Sequence, residues 1–194
     1  MKTNKEMLNG VDVDRLLATV DAIGKEKSLA TFRFRARNSW VRGTHNRSTI
    51  QDFYGAGQED SSRTAPFVLH CGEPPVLLGE NEGPNAGEYV LHALAGCLTT
   101  SLVLYAAAQG IRLDEVSSTL EGDVDARGFL GLDESVRNGF EKVRVTFQVK
   151  GDATDEQLEE LCRLAQARSP VFDIVTRPVP VEVKLARAGE RKAA

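Results

Sequence analysis

The sequence predicts an α+β domain in which antiparallel sheets surround one long, uncharged helix. Three observations carry that prediction. Tyr89 to Ile111 contains no Asp, Glu, Lys or Arg, so a helix there has no natural face to turn toward water and must be enclosed on most sides. Its ends are marked: Asn85 and Glu88 have the spacing of a capping box, and Gly110 suits the left-handed residue that stops a helix. The alternating segments elsewhere arrive largely in adjacent pairs, which fits antiparallel sheet rather than parallel βαβ units.

Taken in order, Val13, Leu16, Leu17, Val20 and Ile23 follow helical spacing, predicting an amphipathic helix over roughly residues 11–24. Phe32, Phe34 and Ala36 alternate with Arg33, Arg35 and Arg37 as in a half-buried strand. Gly43 offers a turn, and residues 44–50 return as the second strand of a hairpin. Residues 54–64 read as a polar, Gly-containing loop, and 67–71 as a short apolar strand ending at Cys71. After the central helix, Val116, Ser118, Leu120 and Val124 mark a strand. Residues 126–139 read as a loop. Val143, Val145, Phe147 and Val149 then alternate cleanly with polar residues. Thr154 and Gln157 form a second capping box, opening a helix whose one face holds Leu158, Leu161, Cys162 and Ala165. Ser169-Pro170 breaks that helix and starts a short one, with proline at the first helical position. Val179, Val181, Val183 and Leu185 predict a final strand. The central helix is about 36 Å long at ~1.5 Å per residue, too long for one small chain to cover, and a homodimer that buries it between two protomers is expected.

Composition narrows the function. The 194-residue chain is 41% hydrophobic and 27% charged, with a formal net charge of −4, which gives no reason to expect nucleic acid or an acidic membrane surface. The uncharged run has the length of a membrane span. It nevertheless carries His92, Thr99, Thr100, Ser101 and Gln109, and no Lys/Arg cluster flanks it. The first residues lack the apolar core of a signal peptide, so a cytoplasmic location is expected. Three cysteines, Cys71, Cys97 and Cys162, show no metal-type spacing, and in a reducing compartment all three are expected as thiols. No Gly-rich phosphate loop, nucleophile elbow or telling carboxylate pair is present, so neither metal nor cofactor is expected.

Cys97 is the sharpest candidate for chemistry. It lies mid-helix after Ala95 and Gly96, whose small size lets another segment approach. It is too far from the helix N-terminus for the dipole to act on it. Reactivity there needs a cation from another segment, and without one Cys97 is a small buried hydrophobe. His92 does not supply that partner, because five residues place it about 140° away around the axis. Arg42 and Arg47, around the first hairpin, are the best cation candidates. Cys162 lies on an apolar stripe and reads as structural, and Cys71 is ambiguous. His45 and His70 show no ligand spacing with each other.

Residues 83–98, GPNAGEYVLHALAGCL, resemble the signature of the OsmC/Ohr superfamily, in which a G-P-x-P-x-E-hydrophobic run leads to A-A-L-x-G-C. The strand–helix–S-P-V–strand order from Val143 to Leu185 matches the family's C-terminal half. The resemblance divides the chain into an N-terminal helical extension (1–30), an OsmC-like domain (31–187) and a disordered tail (188–194). It implies an intertwined homodimer, with antiparallel sheets wrapped around the long central helices and active sites at the interface. It also implies reduction of a small organic hydroperoxide by two cysteines and an arginine. By position Cys97 matches the peroxidatic cysteine, and Arg42 or Arg47 the arginine that favours its thiolate. Two departures stand out. The resolving cysteine of the C-P-V segment is Ser169 here, and the glutamate that holds the arginine in Ohr members falls at Gly87, so Glu88 reads as a cap. The expected function is a thiol-dependent peroxidase resolved by an external thiol reductant or by Cys71, with Cys162 a poor substitute. The alternative is a dimer without turnover that binds a small apolar ligand or senses oxidation through Cys97.

Overall fold

The computed structural model describes residues 7–186, so the tail expected over 188–194 lies outside the described residues. At the start, β1 (Met7–Leu8) and β2 (Val11–Asp12) pair antiparallel. Asn9 in the turn between them donates to the Ile111 carbonyl at 2.9 Å and accepts from the Leu113 amide at 2.8 Å. These bonds tie the N-terminal segment to the end of the central helix. Helix α1 (Val13–Lys25) follows, capped by Asp12, whose side chain accepts from the Arg15 amide. None of its residues is buried.

The strand expected over 32–37 is displaced. Regular pairing begins only at β3 (Arg37–Arg42), and before it Arg33 alone bridges to Tyr54. The reason is the partner. The segment expected as a loop instead folds into a short hairpin, β5 (Phe53–Gly55) and β6 (Gln58–Asp60), closed by a tight turn at Ala56–Gly57. Three residues of β5 give 32–36 too little edge to pair with. Phe34 stacks on Phe32, ring centroids 6.1 Å apart, and meets Phe53 in a tilted contact at 5.6 Å. Phe34 stays 71% exposed, so this segment is not half-buried within one chain. Strand β4 (His45–Ile50) does return from the turn at Gly43, and with β7 (Phe67–Cys71) it completes an antiparallel sheet of order β3-β4-β7.

Helix α2 (Ala86–Ala108) has both reciprocal bonds of its capping box: Asn85 Oδ1 accepts from the Glu88 amide at 2.9 Å, and Glu88 accepts from the Asn85 amide at 2.8 Å. At its far end Gly110 has φ +72°. There the Ile111 amide donates to Ala106 O and the Gly110 amide to Ala107 O, the paired bonds of a Schellman stop. Strands β8 (Leu113–Asp123) and β9 (Lys142–Gly151) form a long antiparallel hairpin, Val116 opposite Val149 and Leu120 opposite Val145. Between them is a single short turn, α3 (Ala126–Phe129). Helices α4 (Asp155–Arg168) and α5 (Pro170–Thr176) follow, with the Thr154–Gln157 capping box in place.

Helix α2 packs on α4, α5 and β8. The centre of the core is Leu102, Ala106, Ile111, Leu161 and Ala165, flanked by Val116, Phe147 and Val149. Leu102 and Leu161 are fully buried. Leu161→Ala, which removes most of one of these side chains and leaves a cavity, is expected to cost about 3 kcal/mol. Urea denaturation reads this directly, and an unchanged midpoint would place Leu161 outside the core.

The last expected strand is absent. Residues 177–186 pair with no other described segment, and Leu185 is 94% exposed. A strand exists only through hydrogen bonds to a neighbour, and among the described residues none is offered at that position. By length and composition alone α2 is apolar enough to cross a membrane. Leu94, Leu98, Leu102, Ala106 and Ala107 are instead buried in protein, while His92, Ala93, Gly96 and Thr100 stay open on the other side.

Candidate functional site

Cys97 is held where α2 meets the start of α5. The break at Ser169-Pro170 makes this possible: proline cannot continue α4, so Ser169 leaves helical geometry and caps α5. Ser169 Oγ accepts from the Phe172 amide at 3.1 Å and lies 3.1 Å from Cys97 Sγ. Ser169 is only 3% exposed. Among the described residues it is the one hydrogen-bond partner of the Cys97 side chain. A mostly apolar cavity of about 420 Å³ lies one helical turn away, and neither Cys97 nor Ser169 lines it. Its lining includes Leu94, one turn before Cys97 on α2, and Phe172, one turn after Ser169 on α5, together with Val90, Phe140, Val143 and Val145. Arg137 and Lys142 also line it.

Arg42, at the end of β3, is gripped by two carboxylates from the loop that leads into α2. It donates from Nη1 to Glu80 Oε1 at 3.1 Å and from Nη2 to Glu80 Oε2, and Glu82 Oε1 lies 3.8 Å away. The hydrogen bond to Glu80 raises the Arg42 pKa above its ordinary value, and the same contact holds the Glu80 carboxyl below the usual carboxylate range. Both side chains are more than half exposed, so the pair adds little stability; its effect is to aim the guanidinium. Glu82 Oε1 also sits 3.9 Å from His45 Nδ1, and His45 Nε2 lies 2.9 Å from His70 Nδ1. The Tyr89 hydroxyl donates to the His70 carbonyl at 2.7 Å. Gly83 lets the loop approach so closely, since a Cβ there would stand 2.2 Å from His70 O.

The structure therefore organises Arg42 and leaves Arg47 as an exposed residue of β4, opposite Ser39 and His70 in the sheet. Within the chain no hydrogen bond or ion pair joins either arginine to Cys97. Glu88 is the helix cap, as its register with the signature implied. Glu80, Glu82 and the His45–His70 pair escaped the sequence reading. The acidic GENEG stretch was a visible signal, but the two histidines meet only through the β4–β7 register. Among the described residues no three His, Cys, Asp or Glu side chains converge as metal ligands.

All three cysteines are free. Cys71 ends β7 opposite Asn46 and is half-buried. Cys162 lines a separate cavity of about 430 Å³ between α4 and β9. Burial pushes its thiol pKa up, and the nearby Glu159 charge adds to the shift, the reverse of what a nucleophilic thiol needs.

Fold and site together define a class: a mixed α+β protein with antiparallel sheets, built on a central helix that presents one cysteine. The family model for OsmC-like proteins matches residues 79–184, more than half of the chain, and the protein belongs to that family. No curated protein matches it. Among solved structures it is similar to an OsmC-like protein of unknown function from Vibrio cholerae, with 14% identity and a TM-score of 0.55 over 72% of this chain and 91% of that one. An OsmC-like protein from Mycoplasma pneumoniae gives 12% identity and a TM-score of 0.57, covering 74% of this chain and 87% of that one. An organic hydroperoxide resistance protein, OsmC, from Legionella pneumophila gives 19% and 0.52, covering 73% and 88%. At these identities the likeness establishes the fold alone.

Proposed function

We propose that the protein is a thiol-dependent peroxidase that reduces organic hydroperoxides through Cys97. The observation that carries this reading is Cys97 on the central helix, paired with the Ser169 hydroxyl one helical turn from a mostly apolar cavity. The Cys97 thiolate attacks the outer peroxide oxygen, the O–O bond breaks, and the leaving alkoxide takes up a proton as the alcohol while Cys97 becomes a sulfenic acid. One external thiol condenses with the sulfenic acid, releasing water and leaving a mixed disulfide. A second thiol then frees Cys97 and leaves with the first as a disulfide. The apolar cavity suits the organic part of the peroxide. Arg42 is favoured over Arg47 as the cation because Glu80 and Glu82 aim it. Membership of the OsmC-like family agrees with this reading, and a protein named for organic hydroperoxide resistance, from Legionella pneumophila, shares the fold.

In this reading the working unit is an intertwined homodimer, and Arg42 of the partner subunit reaches Cys97. Support comes from three unfinished surfaces: the open side of α2, the outer edges of the two-stranded β8–β9 sheet, and the unpaired residues 177–186. Light scattering is expected to give twice the 21.1 kDa chain mass. Gly96 offers a sharper test, because a side chain there meets nothing within 4 Å inside one chain. Gly96→Trp is therefore expected to convert the dimer to a folded monomer, and a dimer that tolerates it would move the interface elsewhere.

Ser169, standing where a resolving thiol is wanted, favours a second reading as a redox sensor or apolar-ligand binder without turnover. Peroxide consumption with a dithiol reductant separates them. Many equivalents consumed per chain support the peroxidase, whereas a single equivalent supports the sensor.

A further inference from the structure

We infer that Ser169 is a positioning residue for the Cys97 sulfur, its hydroxyl acting as the donor that holds the charged sulfur inside the chain. The inference rests on Cys97 being the reacting thiol. A serine hydroxyl has one proton and two acceptor sites. One acceptor site is occupied by the Phe172 amide. Sγ of Cys97, at 3.1 Å, lies within hydrogen-bond reach of the proton. A thiolate has no proton to offer, so in the reactive form only Ser169 can donate across this contact. The amide that donates into Oγ also polarises the O–H bond, since linked hydrogen bonds strengthen one another. With Ser169 only 3% exposed, water competes little, and a donor to an ionised acceptor is about twice as strong as a neutral pair.

The same arrangement has a consequence after oxidation. Ser169 lies beside the sulfenic acid but has no sulfur with which to condense, so the oxidised group stays available to a thiol from outside. One residue thus caps α5, donates to the sulfur and leaves resolution to the reductant.

The test is the pH dependence of Cys97 alkylation by iodoacetamide, in the full chain with Cys71→Ser and Cys162→Ser so that one thiol reports. Ser169→Ala is expected to move the alkylation midpoint upward by about one pH unit, slowing the reaction near neutrality about tenfold. Ser169→Thr, which keeps the hydroxyl and the cap, is expected to restore it. A purely structural role for Ser169 would lower the melting temperature and leave the midpoint in place, and that result overturns the inference. If Ser169→Ala fails to fold, Ser169→Gly, which is nearly neutral at a cap, carries the same expectation and the same refutation. Because alkylation needs no peroxide, an unmoved midpoint defeats this inference and leaves the peroxidase untouched. Peroxide turnover surviving the loss of Cys97 defeats the peroxidase instead.

Discussion

Cys97→Ser is expected to bring hydroperoxide consumption down to the rate of the reductant alone, a loss on the order of a thousandfold or more. The size follows from the chemistry. A serine oxygen remains protonated at neutral pH and has no sulfur valence to accept the transferred oxygen, so no sulfenic acid forms and nothing is left to recycle. The substitution replaces one small atom with another and keeps the Ser169 contact possible, so the fold is expected to persist and the loss to be chemical. Cys162→Ser should keep turnover, because burial and Glu159 already disfavour its thiolate. Cys71→Ser should also keep it when a dithiol supplies the resolving sulfur. Turnover that survived Cys97→Ser, measured by loss of peroxide against an enzyme-free control, would remove the peroxidase reading altogether.

Ser169→Cys is expected to turn single-cysteine chemistry into a two-cysteine cycle. The two side-chain atoms already sit 3.1 Å apart, and a disulfide needs them at about 2.05 Å, a small closure for a surface between two helices. After one equivalent of hydroperoxide, the Cys97 sulfenic acid condenses with the introduced thiol, releases water and forms the bond. Two of the four thiols per chain are then lost from titration, and Cys97 resists alkylation until a reductant is added, while Cys71 and Cys162 stay free. A thiol is a poorer cap than a hydroxyl, so a loss of about 1 kcal/mol in stability accompanies the change. If oxidant produced only a mixed disulfide or a sulfinic acid at Cys97, the α2–α5 juxtaposition would not hold in solution.

Sequence reading succeeded wherever the determining bonds are local. The caps of α2 and α4 and the Schellman stop at Gly110 join residues within five positions of one another, so the chain declares them in its own spacing. The β8–β9 hairpin was legible because its two strands alternate cleanly and lie near each other in sequence. It failed for 32–36 and for 177–186, because alternation announces a face and supplies no partner. Residues 54–64 misled in the opposite sense, where a tight turn at Ala56–Gly57 makes strands of a polar stretch.

Of the candidate site, Cys97 and the two alternatives Arg42 and Arg47 were visible from residue type and neighbours. Cys97 stands among small residues on an uncharged helix, and Arg42 sits at a hairpin end. Their surroundings were not visible. Ser169 meets Cys97 across 72 residues of chain, Glu80 meets Arg42 across 38, and His45 meets His70 across 25. Such contacts are settled by how α5 docks on α2 and how β4 registers with β7, both of them packing decisions with no local signature. By itself, then, the sequence determined the long helix, its ends and the sulfur it carries, since those follow from hydrogen bonds made within a turn. Only the tertiary structure decided which hydroxyl faces that sulfur and which carboxylates aim the arginine, since those depend on apolar faces finding each other across the whole chain.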